Sequence, residues 1–307
     1  MTESSVPGAG EKSLDMRRSL VRFLRPLGRF VANRLPGGNM LVKAIFDLAT
    51  PGAERWVQVH GLPLLTNIHD GGIGATLYLQ GGYAAGRVDL IRRLVGAGDI
   101  AIDVGANIGY FTVQLADLAG SEGRVYAFEP DPRNFRLLMR TVERNRWSHV
   151  TAYQQAVSNQ SGEMDLYLTR SWASNTLRPQ RRIPATRVEV VSLDEALPEI
   201  EDVRFVKIDV DGSEARVIEG MAGMIRRSPR LVVLAEYEPG NLRRYLDSPT
   251  DLVDIAEANG LKLSAIASTD TGPLPGADRS VLDRVPEHRN LDLVFSSGTC
   301  SGCDDDS

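Results

Sequence analysis

At 307 residues the chain is long enough for one large α/β domain with an appendage. Its 42% hydrophobic and 24% charged content is that of an ordinary soluble globular protein, which excludes disorder throughout and a membrane bundle. The net charge of −5 provides no global attraction to nucleic acid, so no nucleic-acid partner is expected.

Residues 1–13 are small and polar and predict a disordered start. From Leu14 to Leu35, Leu20, Phe23, Leu24, Leu27, Val31 and Leu35 recur at helical spacing, with Pro26 as a break or kink. Eight Lys or Arg stand against one acid, Asp15, between Lys12 and Lys43, so this is a basic amphipathic arm in an acidic protein. It reads either as a peripheral contact with an anionic membrane surface or as a helix docked on the rest of the chain. No window approaches the ~18 apolar residues that span a bilayer, and no signal peptide is visible, so a cytoplasmic location is expected. Cys300 and Cys303 lie in a polar tail that is read as disordered and without chemistry.

Trp56–Leu65 alternates around Gly61 and Pro63 and predicts a small hairpin; the glycine-rich run after it, IHDGGIGATLYLQGGY, predicts a loop around a short strand. His60 and His69 fall here and read either as surface or packing residues or as a base. From Val88 onward helical and strand-like segments alternate. Ile100–Val104, Arg124–Phe128, Tyr153–Val157, Phe205–Val210 and Leu231–Glu236 read as strands, Met164–Leu168 and Arg187–Val191 as an antiparallel pair, and Leu261–Ile266 and Leu291–Phe295 as the end of the sheet. Asp131 and Pro132 should open one helix, and Ser248 should cap another over Pro249–Asn259 that stops at Gly260. The pattern predicts a doubly wound, mostly parallel α/β sheet with an antiparallel insertion. Four regions follow: the start and arm at 1–50, a small β cap at 51–86, the main domain at 87–297 and a tail at 298–307.

Ligands of such sheets bind at the carboxyl ends of the strands. The first strand ends D-V-G-A-N-I-G-Y, with Asp103, Gly105, Ala106, Asn107, Gly109 and Tyr110, and a helix starting near Ile108 points free amides into the crevice. A carboxylate at Asp103 would repel a pyrophosphate but attract an amino-acid ammonium, so S-adenosylmethionine suits the motif better than a nicotinamide dinucleotide. Glu129 ends the next strand, inside E-P-D-P, where a carboxylate accepts hydrogen bonds from ribose hydroxyls. Asp209 and Glu236 end the fourth and fifth strands, so their carboxylates can converge; Glu214 reads as a first-turn helix acid. Asp209 is the candidate to orient and deprotonate an acceptor hydroxyl, with Glu236 a second carboxylate that would complete a divalent-ion site suited to Mg²⁺. The loop Arg170–Pro184, with Trp172, Ser174, Asn175 and Arg178, reads either as a cover for an oxygen-rich acceptor or as a mobile surface segment.

The runs GDIAIDVGANIGYFT, VYAFEP and FVKIDVDGSEARVIEGM, within Arg87 to Glu236, resemble the FkbM family of methyltransferases. The resemblance implies a class I methyltransferase sheet and transfer of a methyl group from S-adenosylmethionine, usually to a hydroxyl of a sugar, glycolipid, polyketide or other small natural product. Two other functions fit the residues alone: a nicotinamide-dependent oxidoreductase, which Asp103 disfavours, and a scaffold that binds the nucleoside cofactor without catalysis.

Overall fold

The computed structural model describes residues 53–69, 73–168, 177, 183–274 and 278–298. The basic arm, most of the Arg170–Pro184 loop and the cysteine tail lie outside the described residues.

Among the described residues the main sheet has eight strands. In spatial order they are β12 (Gly272–Pro273), β11 (Lys262–Ser268), β13 (Leu291–Ser296), β10 (Val232–Tyr237), β9 (Val203–Ile208), β3 (Ile100–Val104), β4 (Arg124–Phe128) and β5 (Val150–Tyr153). β10, β9, β3, β4 and β5 run parallel; β13 is antiparallel to both β10 and β11. This is the class I methyltransferase arrangement. The chain steps outward from β3 to β4 and β5, then returns to β9 on the other side of β3, which makes the β3/β9 boundary the switch point.

The parallel strands are apolar runs because helices cover both of their faces. α2 (Ala85–Leu94) and α3 (Tyr110–Ala119) pack on one face with Ala101, Val125 and Phe205. α6 (Glu214–Glu219), α7 (Ala222–Arg227) and α9 (Asp251–Ala258) pack on the other with Ile102, Val206 and Val233. α4 (Pro132–Asn145) starts as read: Asp131 is its N-cap and accepts Arg133 N–H at 2.8 Å. The hairpin of β1 (Glu54–Val59) and β2 (Leu62–Asn67) turns through His60 and Gly61, both at positive φ, and buries Leu64 and Leu65 in the same core as Ile91 and Leu137. Each of those leucines contributes about 1.5–3 kcal/mol of transfer free energy.

Three expectations are corrected. The glycine-rich run forms a helix, α1 (Ile73–Gln80), because Gly74 lets it lie against the end of β2; a Cβ there would stand 2.1 Å from Asn67 O. The expected strand Tyr153–Val157 breaks at Gln154: β5 ends at Tyr153, and β6 (Gln155–Val157) joins β7 (Gly162–Tyr167) and β8 (Ala185–Val191) in a separate three-stranded sheet. α9 starts at Asp251, whose carboxylate accepts Ser248 N–H at 2.8 Å, so Ser248 is a donor and not the cap.

Candidate active site

The turn after β3 is fastened to the end of β4. Gly105 N–H and Ala106 N–H both donate to Phe128 O, at 3.0 and 2.9 Å. Gly105 has φ +74, and a Cβ there would lie 1.9 Å from Asp209 O, so only glycine lets this turn touch the end of β9. Asn107 follows at φ +52 and donates its N–H to Glu129 Oε2 at 2.7 Å, while Asp131 N–H meets Oε1 at 2.9 Å. Burial pushes the Glu129 carboxyl up to about 7 against the pull of these amides.

Asp103 is fully buried and does not line the cleft. Its Oδ2 accepts Thr112 Oγ1 at 2.7 Å, and its Oδ1 lies 3.1 Å from Lys207 Nζ, so both oxygens are engaged inside the protein. Gly109, at φ +91, also stands back from the cleft and packs against Leu138. Gly105, Ala106, Asn107, Tyr110, Glu129, Asp209 and Glu236 do line one cleft of about 310 Å³ at the carboxyl ends of β3, β4, β9 and β10. His60 and His69 do not. Glu214 accepts the amides of Val210 and Gly212, both at 3.1 Å, and so holds the loop after β9.

The end of the cleft at Asp209 and Glu236 contains a charge network that the sequence did not reveal. Arg87, from α2, is buried and forks onto Asp292 of β13, with Nε at 3.1 Å and Nη2 at 2.5 Å; its Nη1 lies 2.8 Å from Asp209 Oδ2. Glu236 Oε1 is 3.8 Å from Nη2 and accepts Asn290 Nδ2. Glu236 is also within hydrogen-bond reach of Asp209. Burial and then Asp209 raise the Glu236 carboxyl well above the carboxylate range. Burial opposes ionisation of Asp209 too, yet Lys207 and Arg87 outweigh it and hold that carboxyl below its usual range. The two carboxyls thus have opposite tendencies, Asp209 toward the anion and Glu236 toward the neutral acid.

Among the described residues the lining carries five carboxyls, Glu129, Asp209, Asp211, Glu236 and Glu238, and one ammonium, Lys207. The carboxyl-rich lining offers acceptors to the ammonium and ribose hydroxyls of S-adenosylmethionine. The Gly105 turn gives the close backbone approach, and Glu129 stands where ribose hydroxyls would donate. The Mg²⁺ expectation does not fit: Arg87 fills the space between Asp209, Glu236 and Asp292, and a guanidinium there already neutralises the carboxylates a divalent ion would need. Among the described residues no helix is long and apolar enough to cross a membrane.

Two signals for the missed residues were present. Asp292 is an acid inside the apolar run L-D-L-V-F, and Arg87 shares the buried face of α2 with Ile91 and Leu94. Neither says which partner it meets.

Residues 103–255 match the methyltransferase FkbM domain. The chain is 26% identical over 181 residues to the hexuronic acid methyltransferase AglP of Haloferax volcanii, covering 57% of this chain and 73% of the relative. It is 24% identical over 143 residues to methyltransferase 1 of Beauveria bassiana, covering 39% of this chain and 57% of the relative. Among solved structures, the methyltransferase FkbM of Methylobacillus flagellatus aligns at 16% identity with a TM-score of 0.42, covering 88% of this chain and 58% of that one. The fibrillarin of Aeropyrum pernix with bound S-adenosyl-L-methionine aligns at 16% identity with a TM-score of 0.41, covering 80% and 85%.

Proposed function

Because this chain belongs to the FkbM family of S-adenosylmethionine-dependent methyltransferases, we propose that it methylates a hydroxyl oxygen on a small, oxygen-rich acceptor, a sugar ring foremost. The observation that carries the reading is the carboxyl pair Asp209 and Glu236, at the ends of adjacent strands in the same cleft as Glu129 and the Gly105 turn. The relative named for hexuronic acid methylation supports a sugar acceptor.

When bound, S-adenosylmethionine supplies an electrophilic methyl group on a sulfonium. The backbone of Gly105 to Asn107 receives the cofactor closely, and Glu129 accepts the ribose hydroxyls. Alignment of the acceptor oxygen with the methyl carbon supplies most of the rate, since displacement needs the two in line. Asp209, held as the anion by Lys207 and Arg87, accepts the hydrogen bond of the acceptor hydroxyl and takes its proton as the C–O bond forms. Glu236 is then the neutral member of the pair and donates to Asp209, which keeps that carboxylate turned to the substrate.

The test is transfer from methyl-labelled S-adenosylmethionine to a panel of methyl hexopyranosides, methyl uronosides, phenols and amines, with the methylated atom assigned by NMR. O-methylation of a pyranoside or uronoside supports the proposal. Methylation confined to amines would overturn it, and cofactor binding with no turnover on any member would favour the scaffold.

A further inference from the structure

Arg87 is on the helix that leads into the domain, far in sequence from every carboxylate that it meets. Its backbone is held rigidly. Gly86 N–H donates to Asp270 O and Arg87 N–H to Thr269 O, both at 3.0 Å, and a Cβ on Gly86 would stand 2.1 Å from Gly272 N. The start of α2 is therefore pressed onto the turn between β11 and β12. From this base the guanidinium takes both oxygens of Asp292, a bidentate grip that fixes the plane of the group and with it the direction of Nη1. Nη1 meets Asp209 Oδ2 at 2.8 Å; among the described residues the only other cation within ion-pair distance of Asp209, Lys207, meets the same oxygen at 3.7 Å. Asp209 is gripped from its buried side, and its side chain remains 29% exposed, in the cleft. Phe111 lies under both cations, with Arg87 Cζ and Lys207 Nζ each 5.3 Å from its ring centroid, and closes the back of the network.

We infer that Arg87 is a positioning residue of the methyl-transfer site: locked by Asp292, its guanidinium keeps Asp209 anionic and aimed at the cleft, as a divalent ion would at three converging carboxylates. The inference rests on the hydroxyl-transfer reading only for what Asp209 then does.

The charge balance supports it. Asp209 faces Arg87 from α2, Lys207 and Asp211 from its own strand and loop, Glu236 from β10, Asp292 from β13, Glu214 from α6 and the Tyr83 hydroxyl before α2. Four of these are carboxyls. Lys207 is shared with Asp103 and with the carbonyl of Gly105, at 2.8 Å, so Lys207 and Arg87 hold Asp209 ionised together. Without Arg87, Asp209 loses its nearest cation and the charge-assisted bond that favours its anion.

The experiment needs no acceptor. In protein saturated with S-adenosylhomocysteine and labelled with ¹³C at Asp carboxyls, the Asp209 signal is the one lost in Asp209→Asn. In the wild type it should stay a carboxylate through the ordinary Asp range. In Arg87→Met it should titrate at least about one pH unit higher, and in Arg87→Ala added methylguanidinium should return it toward the wild-type position. An Arg87→Met titration identical to the wild type overturns the inference. If Arg87→Met does not fold, Arg87→Lys keeps a cation without the fork; a raised Asp209 titration supports the inference and an unchanged one overturns it. On any acceptor found, Arg87→Lys should lower kcat and raise the acid limb of the pH profile with cofactor Kd unchanged. Failure of the hydroxyl reading would show as no O-methylation with the Asp209 shift intact.

Discussion

Lys207 Nζ lies 3.1 Å from Asp103 Oδ1 and 2.8 Å from Gly105 O, so the cation on β9 neutralises the acid near the end of β3 and pins the Gly105 turn beside it. Strand register brings this about: Asp103 pairs with Lys207 across the parallel β3/β9 ladder. The acid expected to meet a ligand ammonium meets a lysine ammonium of its own fold.

Breaking that pair leaves one buried charge alone, which costs about 3–5 kcal/mol. Lys207→Met and Asp103→Asn should each lower Tm strongly, and the double variant should lose much less than the sum of the two. Additive losses in thermal unfolding would mean that the two groups do not act as a pair.

Glu129 should make both stability and cofactor affinity depend on pH, in opposite directions. Its carboxyl is raised to about 7 in the folded chain from an ordinary value of 4.5, so between these values the native state holds more protons than the unfolded one. Stability from this group is present at and below the ordinary value and falls as pH rises toward 7. Ribose hydroxyls donate better to the anion, so S-adenosylmethionine affinity should rise over the same range. Calorimetric titrations across that range should show the rise in the wild type and a flat response in Glu129→Gln. Glu129→Ala should weaken binding by about 1.5–3 kcal/mol for each charge-assisted bond lost.

Gly105→Ala tests the turn. The residue has φ +74, and its Cβ would be 1.9 Å from Asp209 O, a backbone atom that moves only with β9. The left-handed conformation alone costs about 1–2 kcal/mol for a side chain. Lower Tm together with weaker cofactor binding is expected. Loss of stability with normal affinity would detach the turn from the cofactor site.

The parts of the fold legible in the sequence are local. Ile100–Val104 and Arg124–Phe128 form strands with the bounds that their apolar runs indicate, and Glu129, Asp209 and Glu236 stand at strand ends because strand and turn signals place them there. Glycine content alone misread Ile73–Gln80, where Gly74 serves close packing of a helix and not a turn. The single strand read at Tyr153–Val157 failed for another reason: β6 takes its partner from β8, more than thirty residues further on. Arg87 and Asp292 were missed because their bond spans 205 residues, and no pattern within either segment encodes the other.

The same bond decides between two chemistries for Asp209. If Asp209 and Glu236 held a divalent ion, a chelator would inactivate the wild type and both Asp209→Asn and Glu236→Gln would lose the metal. With Arg87 Nη1 at 2.8 Å from Asp209 and Nη2 forked onto Asp292, the positive charge is already in place, so chelation should leave the transfer rate unchanged. Asp209→Asn keeps the shape but removes the charge that accepts the hydroxyl proton. It should lower kcat by ~10²–10⁴, the range for a lost general base, with cofactor affinity nearly unchanged because the proposed cofactor contacts lie at the ends of β3 and β4. Glu236→Gln keeps a donor toward Asp209 and should be the milder variant. Initial rates with methyl-labelled cofactor, with and without EDTA, measure all of these outcomes. Loss of activity in EDTA that Mg²⁺ restores would displace Arg87 from the account, and near-normal turnover by Asp209→Asn would leave alignment alone as the source of rate.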